Sequence, residues 1–85
     1  MASSSVLIKR SAAKEVADLP DPDRRRIVDR IGALAIDPRP PGCEKLSGQE
    51  KYRVRQGDLR IVYEIDDRTD TVIVVKVGHR RDVYR

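Results

Sequence analysis

The chain has little of what several common protein classes need. Among its 85 residues there is one cysteine and one histidine, and there is no tryptophan or phenylalanine. A single cysteine, Cys43, cannot form an internal disulfide, which excludes a disulfide-stabilised secreted fold and fits a reducing compartment. No apolar run approaches the length of a membrane span and no signal-peptide pattern is present, so we expect a cytoplasmic protein without a membrane partner.

Motifs for metals and cofactors are also missing. No set of His, Cys and carboxylate residues has the spacing of a zinc site, and there is no glycine-rich phosphate loop. Asp66, Asp67 and Asp70 fit a polar hairpin turn better than a metal site. We therefore expect no metal and no cofactor. With three tyrosines as its only aromatic residues, the chain also lacks the interleaved aromatics of a single-strand nucleic-acid-binding module.

Charge, in contrast, is abundant. Charged residues make up 38% of the chain, and the formal net charge is +4. Residues 1–50 hold nine Lys/Arg against eight Asp/Glu, whereas residues 51–85 hold nine against six. The basic excess therefore lies in the C-terminal part of the chain, and it suits an anionic partner.

The segment KYRVRQGDLRIVYEI predicts two strands joined by a two-residue turn at Gly57-Asp58. In that register Arg55 lies opposite Arg60, and two arginines across a ladder repel each other. A solvated outer face is one explanation, but the facing pair favours a phosphate site because guanidinium groups bind phosphate in a bidentate way. Alternation places on one face Tyr52, Val54, Leu59, Ile61, Tyr63 and Ile65, and on the other Arg53, Arg55, Arg60, Val62 and Glu64.

Two helices and two further strands are predicted in the rest of the chain. We expect Ser11 to cap a helix that runs to about Leu19 and buries Ala12, Val16 and Leu19. A second helix would begin near Pro22 or Asp23 and end at Asp37-Pro38. Its apolar stripe would comprise Ile27, Val28, Ile31, Leu34 and Ala35.

The strand candidates outside the hairpin are residues 6–8 and residues 71–77, and the second is apolar on both faces, as is typical of a central strand. The predicted fold class is α+β, in the order β-α-α-β-β-β. An antiparallel helix hairpin would pack on one face of a small, mostly antiparallel four-stranded sheet, and residues 1–85 would form a single domain. The other face would stay open for the arginines.

The C-terminal segment GHRRDVYR leaves directly from the last predicted strand. His79, Arg80 and Tyr84 would then fold back over the arginine side of the sheet. Histidine titrates near neutral pH, and tyrosine can stack on a base. The alternatives are an exposed histidine without a role and a tyrosine that fills the core.

Four segments resemble the RelE/ParE superfamily of type II toxins: IKRSAAKEVADLP, ALAIDPRPPGCEKLSG, YRVRQGDLRIVYEI and VVKVGHRRDVY. The resemblance extends from Val6 to Tyr84 and implies the RelE-like fold. It implies two alternative activities, since RelE-like members are ribosome-dependent mRNA endoribonucleases whereas ParE-like members poison DNA gyrase and lack the nuclease residues.

The RelE-like nuclease pattern has basic residues on the strand after a KL-x-G motif, an arginine on the next strand, and an arginine and a tyrosine near the C-terminus. The residues of this chain that match it are Arg53, Arg55, Arg60, Arg80 and Tyr84. His79 is a possible acid or base that the pattern does not require, and Lys51 and Arg81 would add to RNA binding. RelE has lysines at the first two positions and extra chain beyond the tyrosine. Because arginine stays protonated, Arg53 and Arg55 are poor general bases.

The resemblance implies metal-independent cleavage, in which the 2′-hydroxyl attacks the adjacent phosphorus and leaves 2′,3′-cyclic phosphate and 5′-hydroxyl ends. Arg60 and Arg80 would stabilise the developing charge, and the identity of the acid and base stays open. The implied partners are a RelB-like antitoxin from an adjacent gene, the ribosome with its mRNA, and operator DNA reached only through the antitoxin, in a toxin–antitoxin hetero-oligomer. The alternatives are a gyrase poison without nuclease activity and a degenerate toxin that acts as a binding module.

Overall fold

The computed structural model describes residues 4–46, 48 and 50–79, which form five strands and two helices. In chain order these are β1 (Ser5–Ile8), α1 (Arg10–Ala17), α2 (Asp21–Ile36), β2 (Glu44–Lys45), β3 (Tyr52–Gln56), β4 (Leu59–Asp66) and β5 (Thr71–His79). The strands form one sheet in the order β1-β5-β4-β3-β2, in which β1 pairs with β5 in parallel and the other pairs are antiparallel. The α+β prediction is confirmed, with one more strand than expected. The two residues of β2 are too few to show an alternation in the sequence.

The β3–β4 hairpin has the predicted register at every paired position, including Arg55 with Arg60 and Val54 with Ile61. Its turn residue Gly57 has a φ of 61°, whereas Asp58 does not have a positive φ. This combination is the sign pattern of a type II′ turn, in which glycine is favoured at the first central position. Because side chains alternate along a strand, the turn also determines which residues reach the core.

The two helices pack on the sheet face that carries the predicted apolar residues. The helices contribute Ala12, Val16, Ile27, Ile31 and Leu34 to the core, and the sheet contributes Val54, Leu59, Ile61, Tyr63, Val72, Val74 and Val77. The prediction that Val28 belongs to the buried stripe of α2 is wrong, because the residue is 54% exposed. Successive helical residues lie about 100° apart around the axis, so a stripe centred on Ile27 and Ile31 turns Val28 toward solvent.

The first helix begins two residues earlier than predicted and has a different N-cap. Lys9 occupies the N-cap position without a side-chain cap, and Ser11 lies inside α1. The reason is that the Lys9 N–H donates to Val74 O at 2.9 Å, so that pairing with β5 continues up to the residue before the helix. The second helix follows the prediction closely, with Pro22 in its first turn and Asp37 at its C-cap. Neither helix is long and apolar enough to cross a membrane, as far as the described residues extend.

Strand β5 lies inside the sheet, between β1 and β4, as its apolar sequence predicts. Its register with β4 shifts at one point, because Val62 pairs with Lys76 whereas Tyr63 pairs with Val74. One extra residue in a strand resets the alternation of its side chains. In this way Val74 and Val77, which are three positions apart, both reach the core.

Helix α1 covers the edge of β5 just beyond the point where β1 ends. The carboxylate of Glu15 accepts a hydrogen bond from the Val77 N–H at 3.2 Å and lies 3.4 Å from Lys76 Nζ. A side chain thus satisfies a strand N–H group next to the bulge, where such groups need a partner. This contact holds the end of β5 against the helix layer.

Candidate functional site

The sheet surface opposite the helices carries Arg53, Arg55, Arg60, Val62 and Glu64, and we call it the arginine face. The predicted grouping of these residues is confirmed by the register of β3 with β4. Their exposures differ, however: Arg55 is exposed, Arg53 is partly buried, and only 7% of Arg60 is exposed. The expectation of an open face is therefore wrong at Arg60 and also at Val62, of which 5% is exposed.

The guanidinium of Arg60 is held at the turn end of the hairpin. Its Nη1 donates to Leu59 O at 3.1 Å and to Gly57 O at 3.4 Å. A buried charge needs such acceptors because its removal from water is costly. On the β5 side, the Cα partner of Arg60 is Gly78, which adds no side chain to the face. The turn therefore fixes a positive charge at this end of the sheet.

Arg53 has a carboxylate partner that we did not predict. Glu44 of β2 is its Cα partner, and Glu44 Oε2 accepts a hydrogen bond from Arg53 Nη2. The Arg53 side chain is 17% exposed and the Glu44 side chain 54% exposed. The sequence does place Glu44 directly before the KL-x-G motif, but a strand of two residues has no pattern from which this pairing could be inferred.

His79 is not on the arginine face. It ends β5 as the Cα partner of Leu59, and directly paired residues point to the same side of a sheet. Leu59 belongs to the core, so His79 lies on the helix side, where it lines a cavity with Asp23, Arg26 and Asp58. The prediction that His79 folds back over the arginines is wrong, because the bulge in β5 decides the face of every residue that follows it.

Of the other predicted site residues, one precedes β3 and three lie outside the described residues. Lys51 is partly buried, shares the alternation of Arg53 and Arg55, and accepts a hydrogen bond from the Leu46 N–H at 2.8 Å through its carbonyl. Arg80, Arg81 and Tyr84 lie outside the described residues. Within residues 4–46, 48 and 50–79, no group of three or more His, Cys, Asp or Glu side chains could hold a metal ion.

On the helix side, aromatic and charged residues attach residues 37–43, the connector between α2 and β2, to the sheet. The rings of Tyr52 and Tyr63 stack with their centroids 5.9 Å apart, and the guanidinium of Arg39 lies 5.3 Å from the centre of the Tyr52 ring. Arg39 also binds both carboxylate oxygens of Asp67, at 3.0 Å and 3.3 Å. Hydrogen bonds to Asp67 and Tyr52 raise the pKa of Arg39, and the guanidinium in turn lowers the pKa of Asp67.

The hydroxyl of Tyr63 completes this attachment by donating to Pro38 O at 2.7 Å. Burial raises the pKa of Tyr63, and the nearby Cys43 raises it further. Tyr63 therefore remains a proton donor at neutral pH, and its contacts place it in the framework of the fold rather than on the arginine face. The connector and the arginine face therefore lie on opposite sides of the same strands.

Comparison with known proteins shows the family of this chain. A family model described as the ParE toxin of the type II toxin–antitoxin system parDE matches residues 6–84. Over 87 aligned residues the chain is 30% identical to the putative toxin RelE1 of Methanocaldococcus jannaschii, and the match covers 95% of this chain and 94% of that relative. A shorter match to toxin RelG of Mycobacterium tuberculosis is 44% identical over 34 residues, 40% of this chain, and it spans only 39% of that relative.

Solved structures of similar shape lead to the same conclusion. The toxin–antitoxin complex RelBE2 of Mycobacterium tuberculosis contains a chain with a TM-score of 0.83 and 27% identity, covering 96% of this chain and 97% of that one. The archaeal RelE–RelB complex of Pyrococcus horikoshii gives a TM-score of 0.83 at 26% identity, with 94% and 98% covered. The chain therefore belongs to the ParE toxin family, within the RelE/ParE superfamily of type II toxin–antitoxin toxins.

Proposed function

We propose that this toxin is a ribosome-dependent endoribonuclease, which inhibits translation by cleaving mRNA at the codon in the ribosomal A site. The observation that carries the proposal is the convergence of Arg53, Arg55 and Arg60 on one sheet face, with two of them directly opposite each other. Such an arrangement costs stability in the free protein, and a phosphate backbone is the ligand that it fits best. The open A site of the ribosome would order the substrate over this face.

In the proposed reaction the 2′-hydroxyl of one nucleotide attacks its own 3′-phosphorus, and the 5′-oxygen of the next nucleotide leaves. The products carry a 2′,3′-cyclic phosphate and a 5′-hydroxyl. Because the 2′-hydroxyl supplies the nucleophile, the proposed reaction needs no metal-activated water. Arg60 stabilises the negative charge of the transition state, because it is held by the turn in a mostly buried position where charge interactions are strong. Arg53 and Arg55 bind the flanking phosphates.

The remaining roles are proposed from the family pattern alone. Arg80 supplies a second cation for the transition state, Tyr84 stacks on a nucleobase or takes up a proton, and Lys51 and Arg81 add to RNA binding. These assignments leave the general acid and base open, since arginine stays protonated. The position of His79 on the helix side argues against a direct part for it.

We further propose that a RelB-like antitoxin is the partner that controls the toxin. This proposal is supported by the relatives from Mycobacterium tuberculosis and Pyrococcus horikoshii, which were solved in complex with RelB-type proteins. A largely unfolded antitoxin segment that orders on binding would suit a small basic domain. Contacts with operator DNA would then come from the antitoxin.

The family name supplies a second candidate function. Because the matching family model carries the ParE description, a gyrase poison without nuclease activity is the alternative. The two candidates differ in their target, which is the ribosome with its mRNA in one case and DNA gyrase in the other. They also differ at the arginine face, since only the nuclease requires Arg60 for chemistry.

The test is an mRNA cleavage assay on programmed ribosomes, with wild type, Arg60→Ala and Arg80→Ala. We expect A-site cleavage with cyclic-phosphate ends, and a rate that falls about 10²–10³-fold in each variant, as for the loss of one transition-state donor. Arg68→Ala is the matched control, because Arg68 is an exposed residue of the β4–β5 turn and its loss changes the net charge equally. Absence of cleavage by wild type would refute the proposal, and supercoiling by gyrase would then be measured.

A further inference from the structure

Glu44 brings a carboxylate to the arginine face, next to one of the residues that the proposed function assigns to RNA phosphate. Its Cα pairs with that of Arg53, so both side chains leave the sheet on the same side. The two side chains are joined by a hydrogen bond from Arg53 Nη2 to Glu44 Oε2. A guanidinium binds a carboxylate and a phosphate through the same fork of N–H groups.

We propose that Glu44 is an internal competitor of RNA, whose carboxylate occupies Arg53 until a substrate phosphate replaces it. The inference rests on the proposed binding of RNA at the arginine face. Arg55 differs from Arg53 in this respect, since its partner across the ladder is Arg60 rather than a carboxylate. Among the paired arginines of β3 and β4, Arg53 is therefore the one whose ladder partner is a carboxylate.

The exposures of the two side chains show which of them can move. Glu44 is 54% exposed on an edge strand of two residues, whereas Arg53 is 17% exposed and belongs to a strand paired on both sides. The carboxylate can thus turn into water while the guanidinium keeps its place on the sheet. Exposed ion pairs are weak, so we expect the competition to change RNA affinity by only about 1.5- to 5-fold.

A competitor of this kind makes the affinity for RNA depend on contacts across the whole arginine face. An isolated phosphate gains little at Arg53 because it must first replace Glu44. A strand that already engages Arg55 and Arg60 presents its next phosphate at high local concentration, and the replacement then becomes favourable. Glu44 would in this way reduce the binding of RNA that is not ordered across the full face.

The experiment measures binding of the purified toxin to a short 2′-O-methyl RNA oligonucleotide, which has no free 2′-hydroxyl and cannot be cleaved. Fluorescence anisotropy over a series of KCl concentrations gives the affinity and its salt dependence. For Glu44→Gln we expect the RNA to bind about 1.5- to 5-fold more tightly. The slope of log affinity against log salt should steepen by up to about 0.7, the value for one phosphate contact on a single strand, because wild type makes this contact only where the phosphate has replaced Glu44.

Glu50→Gln is the matched control, because Glu50 is also an exposed, ion-paired carboxylate. Its partner is Lys45, with Nζ and Oε1 3.5 Å apart, and Lys45 pairs with Tyr52 on the other side of the sheet. This variant changes the net charge equally without releasing an arginine on the arginine face. In an Arg53→Gln background, Glu44→Gln should have no more effect than the control.

Each possible result either supports or overturns the proposed competition between Glu44 and RNA. Tighter binding and a steeper slope in Glu44→Gln alone, abolished by Arg53→Gln, support the competition. Equal changes in Glu44→Gln and Glu50→Gln overturn it, because net charge would then account for both. Weaker binding in Glu44→Gln also overturns it, since Glu44 would then hold Arg53 in place for RNA. If wild type binds no RNA even at low salt, the inference fails, whereas the proposed function is decided separately by the cleavage assay on ribosomes.

Discussion

Arg55 and Arg60 lie directly opposite each other across the β3–β4 ladder, with both side chains on the arginine face. Like charges in this position weaken a sheet, and the mostly buried Arg60 adds a desolvation cost. Both of these effects oppose the stability of the free protein. A ligand that carries several negative charges, such as RNA, would relieve this repulsion on binding.

The facing arginines predict that the loss of one of them stabilises the free protein. Replacement of the exposed Arg55 by Gln should raise the free energy of unfolding by about 0.2–1 kcal/mol at low salt, because the repulsion across the ladder is removed. The gain should shrink at high salt, where the repulsion is screened. Urea denaturation at two salt concentrations checks this, with Arg68→Gln as the charge-matched control. A loss of stability would show that Arg55 makes favourable contacts that outweigh the repulsion.

The turn at Gly57 predicts opposite effects for two Gly→Ala changes. Gly57→Ala should destabilise the protein by about 1–2 kcal/mol, because the φ of 61° is strained for an L-residue. Gly32→Ala in α2 should stabilise it by about 0.4–1 kcal/mol, since an added Cβ there meets no other atom within 4 Å. Thermal denaturation of both variants tests the assignment. Equal effects of the two changes would contradict a special role for the turn geometry.

The bond from Tyr63 to the connector predicts a measurable loss in Tyr63→Phe. This variant keeps the stacked ring but leaves the Pro38 carbonyl without its donor, a change that should cost about 0.5–1.5 kcal/mol. Denaturant unfolding gives the difference directly. Tyr52→Phe, at the more exposed member of the stack, serves as the comparison. It removes a hydroxyl that interacts with the exposed Arg39, so it should lose less. A Tyr63→Phe protein as stable as wild type would mean that the bond contributes nothing.

The raised pKa of Tyr63 predicts a pH dependence at the alkaline end. In the unfolded chain the phenol ionises near its usual pKa of about 10, whereas in the folded protein it stays neutral to higher pH. Its stabilising contribution is therefore fully present below pH ~10 and is lost as the pH rises through the folded pKa. The stability difference between wild type and Tyr63→Phe should shrink over that range. A difference that is constant up to and beyond pH ~11 would contradict the assignment.

The lowered pKa of Asp67 predicts a loss of stability at acid pH, whereas Tyr63 predicts one at alkaline pH. Arg39 lowers its pKa, so its contribution is present above the usual carboxyl pKa of about 3.9 and is lost as the pH falls through the folded value. Thermal melts should show Asp67→Asn to be less stable than wild type at pH 7 and equal to it in strong acid. Because Asp67 is exposed, high salt should reduce the difference at pH 7. An Asp67→Asn protein as stable as wild type at pH 7 and low salt would show that the pair with Arg39 does not hold the connector.

Local sequence rules predicted those features that depend on near neighbours. The hairpin register follows from a two-residue turn flanked by alternating residues, and the two helices follow from apolar spacing and proline positions. The errors occur where a distant contact decides. Lys9 replaces Ser11 at the N-cap because β1 pairs with β5, more than 60 residues later in the chain. Val28 is exposed because only part of the apolar stripe of α2 faces the sheet.

For the candidate site the division is similar. The sequence by itself determined that Arg53, Arg55 and Arg60 share one face, since alternation and turn length are properties of adjacent residues. Only the tertiary structure decided that Arg60 is buried, that Glu44 pairs with Arg53, and that His79 lies on the helix side of the sheet. Each of these depends on which strands become neighbours and on one bulge in β5. Strand order and bulges arise from the packing of the whole sheet, which no short segment of the sequence encodes.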